Sequence, residues 1–219
     1  MLLARTLRTI AVAALGLAFV PPAALSRDLA LSDDQILPEL AAMDERGGTI
    51  MRVREQVLKI LQSENRCTAW FRESDPDPAG VFESLHYEIQ KDGPSYIFLV
   101  KDGTGERVFK HPWGARTFEF AGRNSTVQLN PVGPFFNSSS AVMEQDRGGF
   151  IVRPAGRREL AVSSFPGNTR RAQATMLLHE LGHVIGRLPA DNDSLDRRSS
   201  RNTAELLRHC RQEIQTVAQ

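Results

Sequence analysis

Two histidines and a glutamate lie close together in this chain, at a spacing suited to metal-dependent catalysis. They occur in the segment His-Glu-Leu-Gly-His at residues 179–183. Residues four apart share one face of an α-helix, so His179 and His183 can present ring nitrogens to a single metal ion. Glu180 can reach a water molecule on that ion without binding the ion itself. The spacing predicts one Zn²⁺ ion held by the two histidines, with Glu180 as general base.

The residues around this segment favour a buried site. Two histidines and a glutamate are costly to bury without a partner, and a metal ion would be such a partner. A pair of hydrogen-bonded core histidines is the alternative interpretation. The flanking apolar residues are Met176, Leu177, Leu178, Val184 and Ile185.

The segment resembles the active-site helix of the zincin superfamily of metallopeptidases, and in particular exported bacterial proteins that carry the same motif. The resemblance is close over the helix and only general over the rest of the chain. It implies Zn²⁺ bound by His179 and His183, Glu180 as general base and acid, and hydrolysis of a peptide or protein substrate. It also implies a twisted sheet beside the helix, with the preceding strand, residues 160–163, along the substrate cleft.

Three carboxylates could supply the third metal ligand. Glu205 has the spacing of one zincin subfamily, but at about 100° per residue it points away from the apolar face of the last helix. Asp191 follows the turn after the motif and can fold back to the metal, as it does in zincins with an aspartate ligand. We therefore predict His179, His183 and Asp191 as the ligand set, with Asp193 and Glu205 as alternatives.

The elements that must position this site are predicted from periodicity. Two N-terminal helices span about residues 32–46 and 49–64, with Gly47 and Gly48 ending the first. The motif helix covers residues 168–186, and a last helix covers about 202–218. The predicted fold class is α+β and zincin-like, with a mostly antiparallel twisted sheet between the two pairs of helices. Its strands are predicted at residues 85–90, 96–101, 107–110, 117–120, 126–129, 149–153 and 160–163.

The first 26 residues predict a signal peptide. Arg5 and Arg8 precede an apolar run at residues 10–20, and small residues before position 27 suit cleavage. We expect a secreted or periplasmic protein with one domain at residues 27–219 and no membrane span after cleavage. A retained N-terminal anchor is the alternative.

The two cysteines of the chain, Cys67 and Cys210, both lie in the predicted mature domain. An even number of cysteines in an oxidising compartment favours a disulfide, so we predict that they are bonded. Two buried free thiols are the alternative.

Charge and composition limit the classes of function. The 27 Lys and Arg nearly balance the 26 Asp and Glu, which argues against a polybasic nucleic-acid-binding protein. Two further functions remain open beside the metallopeptidase: a noncatalytic zinc-binding envelope protein, and a zinc-dependent amidase acting on cell-wall material. Glu180 favours catalysis, since a purely structural site needs no base next to a ligand.

Overall fold

The structure, a computed structural model, describes residues 33–91, 95–102, 105–145, 152–191 and 197–218. The predicted signal peptide at residues 1–26 lies outside the described residues. The alternative ligand Asp193 and the first part of the predicted strand at residues 149–153 also lie outside them.

Helices lie at both ends of the described chain, and strands lie between them. The helices are α1 (Asp33–Ala41), α2 (Asp44–Gln62), α3 (Arg66–Arg72), α4 (Pro78–Glu83), α5 (Arg170–Val184) and α6 (Arg198–Thr216). The strands are β1 (His86–Ile89), β2 (Ser95–Asp102), β3 (Gly105–Pro112), β4 (Ala115–Arg116), β5 (Thr126–Leu129), β6 (Ser139–Gln145), β7 (Val152–Glu159), β8 (Ala161–Val162) and β9 (Phe165–Pro166).

The described strands form three small sheets with mostly antiparallel pairing. One sheet has the order β2-β3-β6-β7, a second has the order β1-β5-β4, and β8 and β9 form a hairpin. Only β1 and β5 pair in parallel among the described strands. The predicted α+β class with a mostly antiparallel arrangement is therefore confirmed for the part of the chain that the structure describes.

The prediction that Gly47 and Gly48 end the first helix is wrong. Both glycines lie inside α2, which begins at Asp44. Gly47 packs against the backbone carbonyl of Leu40, and a Cβ at this position would overlap that carbonyl. Glycine is therefore present because α1 and α2 approach closely, although it is normally a poor residue for a helix interior.

The strand predicted at residues 117–120 is also wrong. The strand β4 ends at Arg116, and beyond it the backbone N–H of Phe120 donates to the carbonyl of His183, 3.0 Å away. The chain leaves the sheet here because its donors bond to the end of α5 instead of to a strand. The strand β6 was not predicted, whereas the prediction for residues 126–129 matches β5.

The helix α5 is central to the core, and every residue from Ala172 to Val184 is buried. It packs against α2, α4 and α6 and against the strands β4, β8 and β9. The predicted disulfide between Cys67 of α3 and Cys210 of α6 is confirmed, with Cα atoms 4.4 Å apart. Within the described parts of the chain, no helix has both the length and the apolar character needed to cross a bilayer.

Candidate metal centre

The helix α5 brings the two histidines together as their spacing predicts. The helix begins after Thr169, whose side chain caps it by accepting a hydrogen bond from the backbone of Ala172. One turn separates His179 from His183, and their Nε2 atoms lie 3.0 Å apart. Both side chains are buried, so these two nitrogens meet inside the protein.

Asp191 completes the group. Its Oδ2 lies 3.0 Å from Nε2 of His179, and its Oδ1 lies 3.5 Å from Nε2 of His183. The chain turns back after α5 because the backbone N–H of Leu188 donates to the carbonyl of Gly182 at 2.9 Å. A Cβ on Gly182 would overlap the Leu188 side chain. The glycine of the motif thus permits the tight return that places Asp191 beside the histidines.

Each Nδ1 atom has a hydrogen-bond acceptor, so both imidazoles can adopt the tautomer that binds a metal ion through Nε2. Thr203 donates its hydroxyl proton to Ser199, so its Oγ1 accepts from Nδ1 of His179 at 3.1 Å. Nδ1 of His183 lies 3.3 Å from the carbonyl of Leu188, which can only accept. In a neutral imidazole whose Nδ1 carries the proton, Nε2 carries a lone pair. In that tautomer two lone pairs and a carboxylate converge, and a cation between them would satisfy all three.

The three side chains are close enough to share one metal ion. Ligand atoms about 2.0 to 2.1 Å from Zn²⁺ are roughly 3.3 Å apart when they occupy corners of a tetrahedron. The two Nε2 atoms are 3.0 Å apart, Oδ2 of Asp191 lies 3.0 Å from Nε2 of His179, and Oδ1 of Asp191 lies 3.5 Å from Nε2 of His183, so the carboxylate faces the two nitrogens with different oxygens. A group of two imidazole nitrogens and one carboxylate oxygen can thus hold a metal ion, and His179, His183 and Asp191 form such a group in the described part of the chain.

The alternative ligand Glu205 lies elsewhere. Its carboxylate pairs with Arg208 at 2.6 Å and with His209 at 3.3 Å on the same helix. Asn202 supports Asp191 instead, since its side-chain amide donates to Oδ1 of Asp191 at 2.7 Å and to the carbonyl of Pro189 at 2.8 Å. The structure therefore favours Asp191 over Glu205 as the third ligand.

Glu180 is a buried carboxyl group beside the metal ligands. Burial raises its pKa, and Asp191 adds to this effect, while His179, His183 and a hydrogen bond from the backbone of Thr117 partly oppose it. Its Oε2 has no hydrogen-bond partner among the described residues. A buried carboxyl group with a raised pKa and a free oxygen can accept and release a proton.

Burial and neighbouring groups shift the pKa values of Asp191 and His183 in opposite directions, and the neighbouring groups have the larger effect. Burial by itself would raise the pKa of Asp191, but hydrogen bonds and charge from the two histidines hold it well below its usual range. Burial would lower the pKa of His183, yet Asp191 and Glu180 outweigh this and raise it. The group therefore favours a carboxylate close to positive charge, which is the condition that a metal ion would also meet.

The structure adds residues that the sequence reasoning did not assign to the site. Asn202 and Thr203 position Asp191 and His179 from α6, and the backbone of Thr117 contacts Glu180. Thr203 lies on the predicted apolar face of the last helix. A polar residue on that face was the feature of the sequence that could have indicated its contact with the site. The predicted cleft strand, residues 160–163, contains β8, which pairs with β9 in a hairpin against α5, and its role along a cleft stays a prediction.

No family model, curated protein or solved structure matches the chain.

Proposed function

We propose that this protein is an exported metallopeptidase that hydrolyses peptide bonds with one Zn²⁺ ion bound by His179, His183 and Asp191. The observation that carries the proposal is the convergence of the three ligand atoms next to the buried carboxyl group of Glu180. A site that only stabilises the fold has no need of that carboxyl group. Burying it without a hydrogen-bond partner for Oε2 is costly, and a catalytic role explains why it is present.

The ligand set supports zinc and an open coordination position. Zinc binds imidazole and carboxylate, and its catalytic sites typically have three protein ligands with a fourth position for water or substrate. When bound in such a site, the ion polarises a carbonyl group and lowers the pKa of water toward about 7. Asp191 is the most exposed of the three ligands, with 29% of its side chain accessible against 7% and 4% for the histidines. This supports access of a substrate from the side of Asp191.

The residues of the chain have separate roles in the proposed reaction. Glu180 accepts a proton from the attacking water and passes it to the nitrogen of the leaving amine. Burial raises the pKa of Glu180, and a higher pKa makes its carboxylate a stronger base for this exchange. Thr203 and the carbonyl of Leu188 hold the two imidazoles in the orientation that a metal ion needs.

Export is supported by two features. The first 26 residues have the composition of a signal peptide, and Cys67 is bonded to Cys210. Disulfides persist in secreted and periplasmic proteins and are rare in reducing compartments.

The test combines metal analysis with cleavage of a peptide library. We expect the wild-type chain and Glu180→Gln to retain about one Zn²⁺, measured by plasma mass spectrometry, and only the wild type to cleave peptides. The loss in Glu180→Gln should be at least about 100-fold, since it removes the general base. Asp191→Ala should lose zinc, whereas the matched control Glu205→Gln should retain both zinc and activity.

Each alternative function has its own outcome in this test. Equal cleavage by the wild type and Glu180→Gln would remove Glu180 from the mechanism, and a chain that binds no zinc would remove the whole proposal. Zinc binding without any hydrolysis would identify a noncatalytic zinc-binding protein. Hydrolysis of cell-wall muropeptides, with no cleavage of ordinary peptides, would identify an amidase.

A further inference from the structure

Two phenylalanines next to the candidate metal centre are exposed to solvent. Phe118 and Phe120 are 79% and 71% accessible, whereas the other exposed large apolar side chains in the described part of the chain, Leu37 and Val132, are 42% and 43% accessible. Both phenylalanines lie on residues 117–122, which we name the aromatic loop. Two exposed aromatic side chains so close in sequence are candidates for a contact surface.

The aromatic loop is attached to the helix that carries the metal ligands. The backbone N–H of Phe120 donates to the carbonyl of His183 at 3.0 Å, and that of Gly122 donates to the carbonyl of Val184 at 3.2 Å. These carbonyls belong to the last turn of α5, and that of His183 also accepts from the backbone N–H of Gly186 at 3.0 Å. At its other end the loop begins at Thr117, whose backbone N–H lowers the pKa of the Glu180 carboxyl group and so lies near it. Phe118 is therefore adjacent in the chain to a residue that lies near the proposed general base.

The backbone of Phe120 adds a second, independent observation. It has a φ of 55°, in the left-handed region that bulky residues seldom occupy. The Phe120 ring lies against Gly186, where a Cβ would overlap it. Most of the ring is nevertheless exposed, so the unfavourable backbone is not compensated by burial of the side chain. Such strain is found where a functional site requires a particular side-chain position.

We propose that Phe118 and Phe120 bind a large apolar side chain of the substrate, adjacent to the peptide bond that is cleaved. This inference rests on the proposed function and specifies its substrate class as peptides with an aromatic or large aliphatic residue at that position. A peptide is favoured over a membrane or a second copy of the chain because the loop contacts both Glu180 and the last turn of α5. A ring one residue along the chain from Thr117, which lies near the general base, is within reach of the residues flanking a scissile bond.

The test measures peptide binding in the Glu180→Gln chain, which leaves a bound peptide intact. The probes are four fluorescein-labelled heptapeptides that differ only in the central residue, which is Phe, Leu, Gly or Asp, and binding is followed by fluorescence anisotropy. Phe118→Ser and Phe120→Ser should each bind the Phe and Leu peptides about tenfold more weakly and leave the other two unchanged. The matched control Leu37→Ser, on α1, should change none of the four.

Controls separate a specific effect from misfolding. Phe118→Leu should recover most of the affinity, and Zn²⁺ binding and circular dichroism of Phe118→Ser should equal those of the parent chain. Equal weakening of all four peptides, or of none, would overturn the inference. It would also be overturned if Phe118→Ser abolished binding to phosphatidylglycerol vesicles, or abolished self-association, while peptide binding stayed the same.

The two proposals fail in different ways. Phe118-dependent binding without cleavage by the wild-type chain would remove the peptidase function and keep the apolar binding site. Cleavage that is equally fast for all four peptides and unchanged in Phe118→Ser would keep the peptidase function and remove the inference.

Discussion

Replacing Thr203 with valine tests whether α6 orients the first of the two imidazoles in the proposed metal site. Valine has nearly the shape of threonine, so the substitution removes the hydroxyl group with little change in packing. It eliminates the 3.1 Å hydrogen bond between Oγ1 of Thr203 and Nδ1 of His179. The variant can then move the imidazole proton to Nε2, the nitrogen that faces Asp191 and the second histidine. A proton on that nitrogen competes directly with a metal ion.

The magnitude follows from the burial of the imidazole. The His179 side chain is 7% exposed, so its Nδ1–H would be left without an acceptor and with little access to water. An unsatisfied buried donor costs about 1 to 3 kcal/mol, which corresponds to roughly 5- to 150-fold in a dissociation constant. Substitutions of residues that hydrogen-bond a metal ligand typically cost about 10- to 100-fold in metal affinity. We therefore expect Zn²⁺ to bind Thr203→Val about 10- to 100-fold more weakly.

The assay is a competition titration of Zn²⁺ against a chromogenic chelator near neutral pH, with Thr216→Val as the matched control. Both threonines lie on α6 and donate to a backbone carbonyl, Thr203 to Ser199 at 2.9 Å and Thr216 to Glu213 at 2.7 Å. Both variants therefore lose one bond within the helix, but only Thr203→Val loses a contact with the site. Equal Zn²⁺ dissociation constants for the two variants would refute the role assigned to Thr203.

Two further predictions concern stability. Replacing both Cys67 and Cys210 with alanine should lower the free energy of unfolding by about 4 to 5 kcal/mol, because the disulfide closes a loop with a sequence separation of 143 residues. Urea denaturation measures this change, and an unchanged denaturation midpoint would contradict the prediction. Gly47→Ala should destabilise the chain, since the new Cβ would overlap the carbonyl of Leu40. The neighbouring Gly48→Ala meets only a flexible side chain and should stabilise α2 by up to about 1 kcal/mol, so thermal unfolding should shift in opposite directions for the two variants.

Local geometry made the centre of the site predictable. The hydrogen bonds of a helix join residues four apart, so the spacing of His179 and His183 already determines that they share a face. Helix geometry also predicts that Glu180, next to His179 in the chain, lies near the site. The same geometry predicts that Glu205 points away from the apolar face of α6. The turn after α5 made Asp191 the preferred third ligand, and the short return through Leu188 and Gly182 explains why it lies close.

Only the tertiary structure decided what surrounds these residues. Thr203 meets His179 across 24 residues of sequence, and Arg187 lies 114 residues from its partner Glu73. Periodicity cannot record such contacts, because they depend on how separate elements pack. The same limit explains why residues 117–120 were predicted as a strand: their pattern suits a strand, but the backbone N–H of Phe120 bonds to the end of α5. The sequence by itself determined which helix could bind a metal, through bonds between near neighbours. Packing between distant elements decided which residues orient the candidate ligands and which loop bonds to the end of α5.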